Sequence, residues 1–108
     1  MMRRANVYIN NVLAGVIVEN NRNDYIFQYD NTYYQNRSNP PVSLTLPLTQ
    51  QEYRSTHLFP FFSNMLSEGS NRRVQSRFLK IDENDNFGLL LATAQYDTPG
   101  AITIKPIK

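Results

Sequence analysis

The chain has 108 residues, 41% of them hydrophobic, enough to bury one modest core and not a second. Its 11 Lys and Arg against 9 Asp and Glu leave a net charge of +2, too near neutral for the strongly basic face of a dedicated nucleic-acid binder. It has no cysteine, which excludes a disulfide scaffold, a thiolate nucleophile and a cysteine-ligated metal, and fits a reducing cytoplasm.

Met1, Met2, Arg3, Arg4, Ala5 and Asn6 lead directly into a strand pattern. No apolar segment of a signal peptide is read there, and no apolar run reaches membrane-spanning length. Val7, Tyr8 and Ile9 alternate, Asn10 and Asn11 interrupt, and residues 13–18 resume a β-branched apolar run. Asn tolerates positive φ, so the pair predicts a tight hairpin turn. Gly15 inside the second run predicts a bulge or a close backbone approach. Residues 19–23, beginning with Glu19, read as a polar turn. Tyr25, Phe27 and Tyr29 then alternate with Ile26 and Gln28 as the third strand of a meander, the two tyrosines packing on its solvent side.

Residues 31–41 read as an irregular loop. Pro40 and Pro41 enter an alternating strand over residues 42–47, short or at an edge because Pro47 cannot donate to a ladder. The period then changes. Leu58, Phe61, Phe62, Met65 and Leu66 recur at helical spacing, with Ser55 or Thr56 as cap, Pro60 in the first turn and Gly69 as the residue just past the end. Ser70 caps a second helix with Val74, Phe78 and Ile81 inward, and Asp85 caps a third with Phe87, Leu90, Leu91 and Ala94 inward. Thr98, Pro99 and Gly100 make a turn before a closing strand over residues 101–105. This order predicts one α+β domain over residues 1–108. A small antiparallel sheet, made of the N-terminal meander and the closing C-terminal strand, carries about three helices on one side.

Catalytic sites fall away one at a time. The single histidine, His57, lies where the first helix begins and reads as a polar first-turn residue. No serine stands in a G-x-S-x-G elbow, and no metal-ligand spacing surrounds the histidine. Asp82, Glu83, Asn84 and Asp85 lack the central glycine and distal glutamate of a calcium loop and read as a solvated interhelix turn. The four glycines are scattered, so no phosphate loop exists, and the motifs of a phosphoryl-transfer site are missing. The expectation is a chain that is not an enzyme and has no cofactor and no metal. Arg73, Arg77 and Lys80 fall at i, i+4 and i+7, with Arg72 on the other flank. They are either a solvated helix face or a docking surface for an acidic protein patch or a phosphate backbone. Tyr33, Tyr34 and Tyr53 fall in loops, as interface anchors or folded back onto the sheet.

Several ordered blocks point to one family. Residues 43–48 read Ser-Leu-Thr-Leu-Pro-Leu, like its S-L-x-L-P-L, and residues 61–69 with Arg72 follow its F-F-x-N-L-L-P-E-G-x-x-R. Residues 85–90 follow D-x-F-x-L-L, residues 97–101 follow D-x-x-G-A, and Val7, Tyr8, Ile9 and Asn10 with Leu13, Ala14 and Gly15 fit its first hairpin. On these residues the chain resembles the N-terminal subdomain of HipA-type toxin kinases over almost its whole length. It departs at Ser67, where Pro is usual, and at Lys80 and Gln95, where Gly is common. In the full-length family the subdomain precedes a larger kinase body carrying the ATP site. The present sequence stops after the closing strand, and so is similar to the HipS component of split HipBST systems.

The resemblance implies a cytoplasmic antitoxin that binds and restrains a HipT/HipA-type serine/threonine kinase core, alongside a HipB-type helix-turn-helix repressor. Membrane contact and direct nucleic-acid binding play no part in this reading. The alternatives are an accessory half that a split kinase needs for activity, and a small nucleic-acid-binding module using Arg73, Arg77 and Lys80. The implied docking residues are Asn64, Ser67, Glu68, Gly69, Arg72, Asp97 and Gly100.

Overall fold

Asn10 and Asn11 both take left-handed backbone, with φ of 50° and 67°, and close a two-residue hairpin between β1 (Arg3–Ile9) and β2 (Val12–Asn21). Right-twisted strands favour this turn, and Asn supplies it at low cost. The computed structural model describes residues 2–66, 69–93 and 101–107. Near the hairpin the register slips between Val7 and Tyr8, which leaves Ala14 as the extra residue of a bulge. Gly15 follows it, and a Cβ there would lie 2.5 Å from the Gln28 carbonyl oxygen. The close backbone approach expected at this glycine is met, and the bulge falls on its neighbour Ala14.

β3 (Asp24–Tyr29), β4 (Glu52–Ser55) and β5 (Ile102–Ile107) complete a five-stranded sheet of order β4-β3-β2-β1-β5, antiparallel throughout. The closing strand is as expected, and it runs on through Pro106, which an edge strand tolerates. The α+β class is as expected too, with four helical segments among the described residues where about three were expected.

The core lies on one face of the sheet. Registered pairs put Val7 and Ala5 beside Gly15 and Ile17, and these beside Tyr29 and Phe27, with Ile9 buried in the same phase of β1. Tyr25 and Tyr29 therefore face the core, not solvent, because they share the phase of Phe27, which is fully buried. Glu19 also belongs to this face. It is not part of a polar turn: β2 continues to Asn21, and the turn is Arg22 and Asn23.

Residues 42–47 form no strand. The Ser43 hydroxyl accepts from the Thr45 amide at 3.2 Å and the Ser43 carbonyl accepts from the Leu46 amide at 3.0 Å, a tight turn that turns Leu44 outward, 93% exposed. The fourth strand is β4 instead. The long segment before it is held by tyrosine hydroxyls. Tyr29 donates to the Leu46 carbonyl and accepts from the Val42 amide at 2.9 Å, Tyr33 donates to the Pro40 carbonyl at 2.6 Å, and Tyr53 donates to the Pro47 carbonyl at 2.5 Å. Carbonyls with no ladder partner are satisfied in this way. Tyr33 is buried on α1 (Asn31–Gln35), an unforeseen helix capped by Asp30, and stacks on Tyr29 at 6.0 Å; Tyr34 is half-buried against the same ring.

The first expected helix shrinks to α2 (Pro60–Ser63), with Pro60 at its start and no side-chain cap. Leu58 and Phe59 are buried just before it, and Phe62 anchors it. Gly69 does not end that helix; it begins α3 (Gly69–Leu79). α4 (Asn86–Thr93) is capped as expected: Asp85 Oδ1 accepts from the Gly88 amide at 3.1 Å. Phe87, Leu89 and Leu90 are its buried residues. Among the described residues no helix is long and apolar enough to cross a membrane.

Candidate functional site

One row of the core face is charged. β1 brings Arg3, β2 brings Glu19 and β3 brings Tyr25 side by side, and the cap of α4 brings Asp85 over them. The Arg3 guanidinium donates to Glu19 Oε1 at 2.9 Å from Nε, and to both Asp85 oxygens at 3.0 and 2.8 Å. The Tyr25 hydroxyl donates to the other Glu19 oxygen at 2.9 Å. Glu19 is 5% exposed, and a carboxylate so buried persists only when paired. Arg3 also lies over the Phe87 ring at 5.3 Å, so the junction closes on the first apolar residue of α4.

The electrostatics are those of a fastening. Hydrogen bonds from Arg3 hold the Asp85 carboxyl below the usual carboxylate range, and the same bond with Asp85 pushes the guanidinium further up. Burial, then the bond to Glu19, pushes the Tyr25 hydroxyl up to about 12. Both acids are satisfied by donors and the phenol keeps its proton, so no member is poised as base or nucleophile. Among the described residues no buried side-chain polar atom lacks a partner.

Beside this row lies a cleft of about 390 Å³, lined by Glu19, Tyr25, His57, Ser63, Asp85 and Asn86 among others. His57 is not in a helix's first turn. It precedes α2 in the turn after β4, its amide donating to Ser55 Oγ at 3.2 Å, and its ring has no hydrogen-bond partner among the described residues. No cluster of three or more His, Asp or Glu able to hold a metal occurs among the described residues.

The expected docking residues divide. Asn64 is exposed on the turn after α2, its amide donating to the Pro60 carbonyl at 2.9 Å. Gly69 opens α3. Arg72 is half-buried and engaged: its Nε donates to the Glu83 carbonyl at 2.8 Å and its Nη2 to Asn86 Oδ1. Ser67, Glu68, Asp97 and Gly100 lie outside the described residues, as do Ala94 and Gln95.

The second helix is turned the other way from the expectation. Val74 is 66% exposed and Phe78 is 85% exposed, while Arg72, Gln75, Ser76 and Leu79 face the protein. Polar bonds override the apolar pattern here. Arg72 clamps the helix to the turn before α4, and the Ser76 hydroxyl donates to the Ile81 carbonyl. The end of α3 is a left-handed cap, with Lys80 at φ 58° and the Ile81 amide donating to the Ser76 carbonyl at 3.0 Å. Lys80 therefore lies just past the helix, in a conformation glycine takes without strain. Arg73 and Arg77 remain exposed one turn apart, and no ion pair reaches either among the described residues.

Sequence reading missed the charged row. Its signal was phase: Arg3 shares the parity of Ala5 and Val7, and Glu19 that of Gly15 and Ile17.

Residues 5–105 match the family model of the HipA N-terminal domain. An uncharacterized protein of Haemophilus influenzae is 29% identical over 108 residues, spanning 100% of this chain and 96% of that protein. A putative kinase of Sinorhizobium fredii is 26% identical over 105 residues; the match covers 97% of this chain and only 25% of the kinase. Among solved structures, an N-terminal domain of HipA toxin superposes with a TM-score of 0.71 over 98% of this chain and 93% of that one. Its sequence identity of 22% carries the fold alone.

Proposed function

The chain belongs to the HipA N-terminal domain family, and from that membership we propose that it is a non-catalytic cytoplasmic antitoxin that binds and restrains a HipA-type serine/threonine kinase core. The match over residues 5–105 carries this reading. The same domain forms a quarter of a putative kinase and nearly all of the Haemophilus protein, which supports a module working beside a kinase body, joined to it or apart from it. The chemistry agrees, since Glu19, the one buried ionised side chain among the described residues, is tied up by Arg3 and Tyr25. Contact is assigned to the segment with Asn64, Ser67, Glu68, Gly69 and Arg72, together with Asp97 and Gly100. A helix-turn-helix repressor completes the assembly.

Co-expression with a HipA-type kinase core from the same organism, followed by pull-down and a phosphorylation assay, tests this. The expected result is a stable complex whose kinase activity rises when the chain is removed. Loss of phosphorylation on removal would make the chain an accessory half of the enzyme, and absence of any complex would end the reading.

A further inference from the structure

We infer that the outward face of α3, centred on Val74 and Phe78 and edged by Arg73 and Arg77, is a docking surface for an acidic amphipathic helix of the kinase core. The inference rests on the proposed function and deepens it by adding a second contact surface, distinct from the segment over residues 64–72, and the chemistry of its occupant.

Val74 and Phe78 are one helical turn apart, so their side chains form a continuous apolar strip. Arg73 and Arg77 repeat the spacing one position earlier and border the strip on one side. The orientation is fixed. The Arg72 clamp on Glu83 and Asn86, the Ser76 bond to Ile81 and the left-handed cap at Lys80 all act on the opposite side and the end of the helix. Rotating Phe78 inward would break every one of these bonds. An apolar face held outward by satisfied polar contacts is a built surface, unlike a scattered exposed apolar residue.

Charge selects the occupant. Residues 69–79 include three arginines and no acidic residue. Arg73 and Arg77 share a groove of about 310 Å³ with Ser76, Asp82 and Glu83, yet neither arginine forms an ion pair among the described residues, and neither Val74 nor Phe78 lines that groove. A second copy of the chain would bring arginines against arginines. A phosphate backbone would meet an apolar centre on a chain of net charge +2. A helix with apolar residues at i and i+4 and Asp or Glu beside them satisfies both halves of the face.

Binding of the wild-type chain to the purified kinase core is measured first, by titration calorimetry and by association kinetics at two salt concentrations. Phe78→Glu is expected to weaken binding about 100-fold, as for a central hot-spot residue. Arg73→Glu with Arg77→Glu is expected to slow association about 10-fold and flatten its salt dependence. Melting curves should stay within a degree or two of wild type, since both sites are exposed. If wild type binds and Phe78→Glu binds equally, the docking face is wrong while the functional reading stands; if wild type does not bind, that reading falls and this one with it. A self-dimer in sedimentation that Phe78→Glu dissolves would assign the face to a second copy and overturn the inference. Binding to a DNA duplex that the double arginine variant abolishes would overturn it as well.

Discussion

Helices α3 and α4 both carry apolar residues at helical spacing, yet α4 buries Phe87 completely while α3 leaves Phe78 85% exposed. The difference lies in the polar residues around them. On α4 the cap residue Asp85 is bound by Arg3 of β1, so the polar contact draws the apolar stripe onto the sheet. On α3 the polar contacts come from Arg72 and Ser76, on the face opposite Phe78, and they hold the apolar stripe away. Periodicity tells which residues share a face; the direction in which that face points is set by what anchors it.

The largest expected contrast is between two phenylalanines. Phe87→Ala should cost about 3–5 kcal/mol, the range for truncating a fully buried ring. Phe78→Ala should stay within about 0.5 kcal/mol, as exposed substitutions do. Urea denaturation of both variants decides it, and similar losses would mean that α3 packs its apolar stripe after all.

Next comes the anchor of α4. Arg3→Met leaves Glu19 buried without its cation and should cost about 2–3 kcal/mol, the range for breaking a buried pair discounted because the Arg3 side chain is 34% exposed. Arg72→Met, in the corresponding anchor of α3, should cost about 1 kcal/mol, since it removes one exposed and one partly buried bond and strands no buried charge. A larger loss at Arg72 than at Arg3 would reverse the comparison.

Acid sharpens the same point. The Asp85 carboxyl is held below its ordinary value of 3.8 chiefly by the hydrogen bond from Arg3. A depressed folded pKa contributes stability that is present above the ordinary value and lost as pH falls through the folded one. Asp85→Asn keeps a cap oxygen but loses the charge. Its deficit relative to wild type should be evident at pH 7 and close as the pH is lowered below 3.8. Denaturant melts at pH 7 and in acid measure the gap, and a deficit that persists in acid would remove the charge from the explanation.

The smallest effect belongs to the end of α3. Lys80 holds a left-handed conformation at φ 58°, so Lys80→Gly should raise stability by about 0.5–1 kcal/mol. A lower melting temperature would contradict it.

Much of the fold was legible because short-range chemistry decides it. Asn10 and Asn11 announce a turn needing positive φ, Gly15 marks the place where a Cβ would strike Gln28, and Asp85 marks a cap. The rest depends on partners far along the chain. Residues 42–47 alternate like a strand, but Ser43 bonds locally and Tyr29 takes the carbonyl and amide that a ladder would use. β4, with the sequence Glu-Tyr-Arg-Ser, has little strand character of its own and exists because β3 offers an edge. Glu19 looked like a turn residue because nothing adjacent reveals that Arg3 waits across the sheet. For the candidate site, the arginines of α3 were visible as a stripe, whereas the outward stance of Val74 and Phe78 was not. It depends on Arg72 meeting a turn 11 residues away.

The strand order places β1 between its immediate successor and the last strand of the sheet. A ribosome therefore releases β1 nearly a whole domain before β5 exists to cover its open edge. Closing that edge spans the longest sequence separation in the sheet, so it forms late, after the β1–β2–β3 meander has zipped from its turns. Until then Ala5, Val7 and Ile9 present an unprotected margin that another strand can capture. Pulse-labelled amide exchange during refolding should protect Ile17 before Ile104; the opposite order would show that the sheet is assembled from its outer strand inward.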